Sequence, residues 1–373
     1  MFFPASAGAG AIGFGRFYLC FLSFPEWVEL PVLPEILRKR CRLCAELRGG
    51  LVGRLMKFYH FIALFCAVLM SVLSAAAMER VETRRVPLTD GGRVKITTGS
   101  GDIKVVPGAV ERLELQLRCI SHEQKSNKAR AALNRVQLVM RRSDDTVSID
   151  VLDRASGGTK LMSAKRLALQ FELVVPENCS LDLYTQEGSI QVGNLAGHMH
   201  VVTEKGKIFL GQIDGHVYAA SKLGDVSVSR CTGAAELKTD SGNVQIGTIS
   251  GHADLDTKKG NIVVQAAYNT IAAHTAHGNI IAMLAKVRGP YQLRSDMGNI
   301  RTIINPNENC FIAAKGRKVT SEIPLVLAHG GRDSGKYVGD HLGGGPRVDI
   351  SAAGGGKVQV VKGEPLFQEK RRS

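Results

Sequence analysis

Aromatic residues are scarce in this 373-residue chain, at 6% with a single tryptophan, Trp27. Glycine is abundant: 41 residues, well above the usual ~7%. Together these argue against a helical bundle and for many short strands joined by tight turns. Cysteine is sparse as well. After residue 67 only Cys119, Cys179, Cys231 and Cys310 remain, too few for a disulfide scaffold, so buried free thiols are expected. The apolar run over 61–73 falls short of the ~20 residues that a spanning helix needs. No phosphate loop, dinucleotide fingerprint or nucleophile elbow stands in a fitting context. "GAGAIGFG" near residue 8 is glycine-rich, but no strand precedes it.

The apolar run has another use. Lys57 supplies a short positive segment before it, and Ala75-Ala76-Ala77 follows it as a small-residue cleavage site. This is the layout of a secretory signal peptide over residues 56–77. A signal peptide does not work 55 residues deep, so translation is expected to start at Met56, with 1–55 a doubtful extension. Cys41 and Cys44 form a CxxC without a second pair, which does not make a zinc site. Cys66 lies within the apolar run rather than at its end, so no lipid anchor is expected.

Residues 1–77 hold 8 of the 48 Lys and Arg and 4 of the 34 Asp and Glu, so the mature chain carries a net +10. Its basic segments are not interleaved with aromatic platforms, which argues against single-stranded nucleic acid. Charge alone favours anionic envelope polymers.

The strongest signal is a repeat. Glycines recur at 188, 206, 224, 242, 260 and 278, each step being 18, and then at 298. Two residues after them stand Ile190, Ile208, Val226, Val244, Ile262, Ile280 and Ile300. Three residues before them stand Thr185, Thr203, Ser221, Thr239, Thr257, Thr275 and Ser295. Asn243, Asn261, Asn279 and Asn299 follow four consecutive glycines, and Gly197, Gly215, Gly233 and Gly251 form a second glycine column. Apolar residues alternate within each unit, which is strand periodicity. A unit this short cannot close a core of its own, and a fixed short period marks a stacked array.

The expected fold is therefore all-β: a β-solenoid of about seven regular 18-residue rungs with a strand-rich N-terminal elaboration. At ~4.8 Å per rung the regular section spans about 34 Å. The Thr/Ser and Asn columns read as structural ladders, and the glycines as corners needing φ > 0. "VKITTGSGDIKV" supplies a first rung within 78–177, and "EQKSNKARAALNRV" a short helix. Regular repeats fill 178–305. Residues 306–360 hold irregular rungs and a Gly-rich loop, with "RVDISAAGGGKVQV" as a last rung, and 361–373 form a basic tail.

The order "TTGSGDIKV", alternating strands ending in "LVVPENCSLDLYTQEGSIQV", then T-x-x-G-x-I/V-x-V rungs, resembles the bacterial putative-adhesin family. The resemblance covers about residues 80–360. It implies an exported or surface β-solenoid of unknown biochemical function and supplies no catalytic residues.

Chemistry on such a rod would show as a row of unlike polar groups. Glu236 and Asp254 fall on adjacent rungs, with Asp256 nearby, and a close carboxylate pair suits glycoside hydrolysis. Lys238 and Lys258 beside them favour a charge-balanced face. His198 and His216 share a column, but two ligands without a third are a weak metal site. No catalytic residue, metal or cofactor is therefore assigned. The function expected is an exported, non-enzymatic structural or adhesion module, binding an envelope polymer, a glycan or another protein. The alternative is a carbohydrate-active β-helix enzyme using Glu236 and Asp254. Intact-mass measurement of the natural product is expected to show a chain beginning after Ala77; a product retaining 1–55 would overturn the assigned start.

Overall fold

In a computed structural model, residues 78–123, 125–154, 159–160, 167–329 and 335–364 are described. The N-terminal extension, the expected signal peptide and most of the basic tail lie outside the described residues. Each 18-residue unit supplies one strand to each of two facing sheets. In rung 5, Val244–Ile249 joins sheet I and Ala235–Ser241 joins sheet II. Rung 6, Ala253–Lys259 and Ile262–Ala267, stacks on it in parallel register, with Leu237 opposite Leu255 and Val244 opposite Ile262.

Numbered by stacking, the rods' rungs begin with rung 1, Arg93–Ser100 and Asp102–Gly108. Rung 2 is Ser180–Glu187 and Ile190–Val192, rung 3 Met199–Lys205 and Ile208–Asp214, and rung 4 Val217–Leu223 and Val226–Cys231. Beyond rung 6 come rung 7, Ile271–His277 and Ile280–Leu284, and rung 8, Tyr291–Met297 and Ile300–Ile304. Inward residues alternate with outward ones, and the interior is a continuous apolar column. Leu237, Val244, Ile246 and Ile249 are fully buried. At ~25 cal/mol per Å² of apolar surface, such like-on-like packing is the main stabilising term.

The corners are fixed by polar bonds between rungs. Thr239 Oγ1 donates to the Gly224 carbonyl at 2.9 Å, Thr257 to Gly242 at 3.0 Å, and Thr275 to Gly260 at 2.9 Å. Thr203, Ser221 and Ser295 do the same, and Thr185 reaches Gly101. The corner glycines answer a tighter demand than backbone freedom alone. Gly260 has φ of +155°, and a Cβ there would also stand 1.8 Å from the Gly242 carbonyl oxygen. The carbonyl that accepts the hydroxyl thus fills the space a side chain would need.

The Asn column works through its side-chain oxygens. Asn243 Oδ1 accepts from the Asn261 backbone N–H at 2.9 Å, Asn261 Oδ1 from Asn279 at 2.8 Å, and Asn279 Oδ1 from Asn299 at 2.8 Å. None of these asparagines has positive φ, so tolerance of the left-handed region is not why they are here. The same bond extends the ladder through residues the Asn pattern does not mark. Asp102 accepts from Ser189 N–H, Asp225 from Asn243 N–H, and Asn299 from Lys357 N–H.

Both ends depart from sequence order. Beyond rung 1, sheet I continues with Leu167–Pro176, Arg112–Ser121 and Met78–Pro87, and sheet II with Thr146–Asp153 and Val136–Ser143. The helix Ser126–Arg135 buries Ala129 and Leu133 there. At the other end, Arg347–Ala352 and Lys357–Lys362 are not the outermost rung. They form rung 9, between rung 8 and a rung 10 built from the earlier residues Cys310–Lys315 and Lys318–Ser321. Part of the expected Gly-rich loop is ordered instead, because Lys336–His341 pairs antiparallel with Cys310–Lys315.

Denaturant melts should separate the two corner components. Gly260→Ala is expected to cost several kcal/mol, on the order of 3 or more, through steric conflict, and Thr257→Val about 1 kcal/mol for one hydrogen bond. Equal costs would refute the contact assignment.

Candidate functional site

The outer face of sheet II carries the unlike side chains. Because each strand sits in register with the next, one residue per rung forms a row. Lys95, Asp182, His200, Tyr218, Glu236 and Asp254 follow one another along the rod. A second row, at the second corner, holds His198, His216 and His252. Between these rows runs a groove of about 680 Å³ lined by His198, His200, His216, Tyr218, Glu236 and Asp254, among others. Four of the five surface candidates from the sequence therefore meet there. Asp256 is absent from that lining and stands in the neighbouring row, against His274.

Most of these groups are engaged. Lys95 lies 3.8 Å from Asp182, and Asp182 Oδ1 is 3.0 Å from His200 Nδ1. His200 stacks on Tyr218 with centroids 4.9 Å apart. Lys238 Nζ donates to Glu236, and this bond raises the Lys238 pKa. His198 and His216 stack at 5.2 Å with planes 6° apart. The Ala234 backbone N–H donates to His216 Nδ1 at 3.1 Å, which leaves the proton of a neutral ring on Nε2. His216 thus does at its corner what the asparagines do at theirs. With its lone pair used this way and its outer nitrogen protonated, it is poorly set up to share a metal with His198. Among the described residues no cluster of three or more His, Cys, Asp or Glu could hold a metal ion.

His200 and Tyr218 occupy the same column as Glu236, and that column was the signal that could have singled them out. His274 was likewise unmarked. Its Nδ1 lies 2.9 Å from Asp256 and its Nε2 3.2 Å from Asp296, so it bridges carboxylates of rungs 6 and 8. Burial pulls its pKa down, but the bonds to the two carboxylates outweigh this and leave it above the ordinary 6.5. Asp296 is lowered by its bonds to Arg294 and then His274. The four thiols among the described residues offer no nucleophile at neutral pH. Burial pushes Cys119, Cys231 and Cys310 up to about 11, and Cys179 to about 12.

Residues 215–324 match the family model described as Toastrack DUF4097. Over those residues the chain is similar to a Toastrack domain. Comparison with curated proteins gives no match. Among solved structures, a putative adhesin from Bacteroides fragilis is similar at 13% identity and TM-score 0.36, covering 76% of this chain and 97% of that one. A putative lipid binding protein from Parabacteroides distasonis is similar at 14% identity and TM-score 0.36, with the same coverage. A putative cell adhesion protein from Clostridium sporogenes is similar at 12% identity and TM-score 0.19, covering 77% and 100%. At these scores the likeness carries no argument about function. Among the described residues no helix is long and apolar enough to cross a membrane.

The His274 bridge links stability to pH. A raised folded pKa gives stability that is complete below the ordinary 6.5 and is lost as pH rises through the folded value. The side chain is 43% exposed, so solvent screening holds the effect to roughly 0.2–1 kcal/mol. His274→Ala should lower the melting temperature more in acid, well below the ordinary histidine pKa, than in alkali well above it. An equal loss at both would show that the bridge contributes no charge-dependent stability.

Proposed function

We propose that this protein is an exported, non-enzymatic adhesion or structural module that holds an extended glycan of the envelope or surroundings along the outer face of sheet II. One observation carries this reading: the groove presents one polar or ring side chain per rung, at the ~4.8 Å strand spacing. A ligand matched to such a row is itself a repeating chain. Glu236 and Asp254 accept hydrogen bonds from hydroxyl groups, and the histidine and tyrosine rings add donors. The net charge of +10 over residues 78–373 also draws anionic polymers toward the rod.

A carbohydrate-active enzyme would use Glu236 and Asp254 as acid and base. That chemistry needs one acid kept protonated by an enclosed, apolar setting. Here Glu236 is bonded to Lys238 and its side chain is 42% exposed. Buried thiols supply no alternative nucleophile.

A glycan array followed by product analysis tests the proposal. Binding without turnover is expected, and Glu236→Gln combined with Asp254→Asn should weaken it by about tenfold. Turnover that this double substitution abolishes would establish the enzyme instead.

A further inference from the structure

The outer face of sheet I is the opposite of sheet II in character. Sheet II bears ion pairs from rung to rung: Lys222 to Glu204 at 3.0 Å, Lys258 to Asp240 at 2.8 Å and Lys205 to Glu187 at 2.8 Å. On sheet I the central outward row from rung 2 to rung 7 reads Gln191, Phe209, Ser227, Gln245, Val263 and Ile281, without a charge. The row two residues further on, from Gly193 to Gln265, is equally free of charge. Phe209 is 45% exposed and Ile281 41%. In a chain with 22% charged residues, six successive rungs of this kind form an uncharged strip.

We propose that this face packs against the same face of a second copy of the chain. The occupant is indicated by self-complementarity about rung 5. A twofold axis in the interface, parallel to the strand Val244–Ile249, keeps each row facing itself and exchanges rung 3 with rung 7. Phe209 then meets Ile281 of the second copy, and Val263 meets Ser227. Exchange of rungs 2 and 8 sets Ile303 over Gly193, which lacks a side chain because a Cβ would stand 2.6 Å from Pro107. Exchange of rungs 1 and 9 sets Val106 against Val361.

At the two ends of the rod charge follows the same symmetry, while within the corner row Lys207 and Asp225 pair with each other at 3.2 Å and face Asn279 and Asn261 of the second copy. In the corner row, Asp102 of rung 1 meets Lys357 of rung 9 in the second copy, an opposite-sign pair at each end. Arg301 faces Gln191, and Lys104 faces Gln359 while already bonded to Glu172 at 2.8 Å. Nine rungs at ~4.8 Å by five residues at ~3.3 Å give a footprint of roughly 700 Å² per copy, close to the ~800 Å² of a standard specific interface. Two sheets packed this way keep their strands aligned, as facing β-sheets do. This pairing leaves the sheet II groove open, so it is independent of the glycan reading.

Sedimentation velocity over a concentration series up to the millimolar range tests it. A monomer–dimer equilibrium is expected, weakened about tenfold or more by Phe209→Lys alone or by Ile281→Asp alone. Mixing these two variants should restore a dimer, because each heterodimer gains one Lys–Asp contact and keeps one Phe–Ile contact. Thermal melts of both variants confirm that they are folded. A protein that stays monomeric throughout overturns the proposal. So does a dimer indifferent to both substitutions, or a mixture of the two that fails to pair. A monomer whose strip instead binds a neutral polysaccharide, lost with Phe209→Lys, also overturns it.

Discussion

Everything in the rod depends on one contact at the first corner. A glycine carbonyl of one rung accepts the Thr or Ser hydroxyl of the next, in a space that only a hydrogen atom at the next glycine leaves open. That contact sets the rung spacing. The spacing aligns the isoleucines and valines inside, the amide oxygens outside, and the rows of side chains on both faces. Burial alone already resists slippage by one residue, which would turn every inward side chain outward. The corner resists it as well, since a shift of one position would place a β-carbon in the carbonyl.

The repeat was legible because this constraint is local and identical in each unit. Glycine at the corner, a hydroxyl three residues earlier and an aliphatic two residues later are each required by contacts with the adjacent rung alone. Glu236, Asp254, His198 and His216 were also placed from their columns, and the groove brings those four together. What the sequence pattern did not mark follows from the same logic. Asp102, Ser189 and Asp225 stand at the asparagine position by bond rather than by residue type. His274 gains its meaning only from Asp256 and Asp296, one rung to either side. The order of rungs 9 and 10 was not legible at all, because nothing in a strand–glycine–strand unit states which neighbour it will choose.

The two faces show how one scaffold separates tasks. Inward positions and corners are bound to the repeat and cannot vary freely. Outward positions are bound only to neighbours in the same row, so one face has become charged and ring-bearing while the central row of the other has lost charge over six rungs. A solenoid of this kind is a carrier of rows, and its chemistry is read along the rod rather than across a pocket.

Rung 9 carries a further consequence, for the order in which the protein is made. Rungs 2 to 8 stack in the order of synthesis, each new one finding its edge already formed. Cys310–Lys315 and Lys318–Ser321 emerge next but cannot take their final place, because their neighbour, Arg347–Lys362, has yet to be made. That end of the rod is therefore closed by a stretch made after the segment it holds in place. A chain halted at residue 346 would lack the rung against which Cys310–Lys315 and Lys318–Ser321 stack.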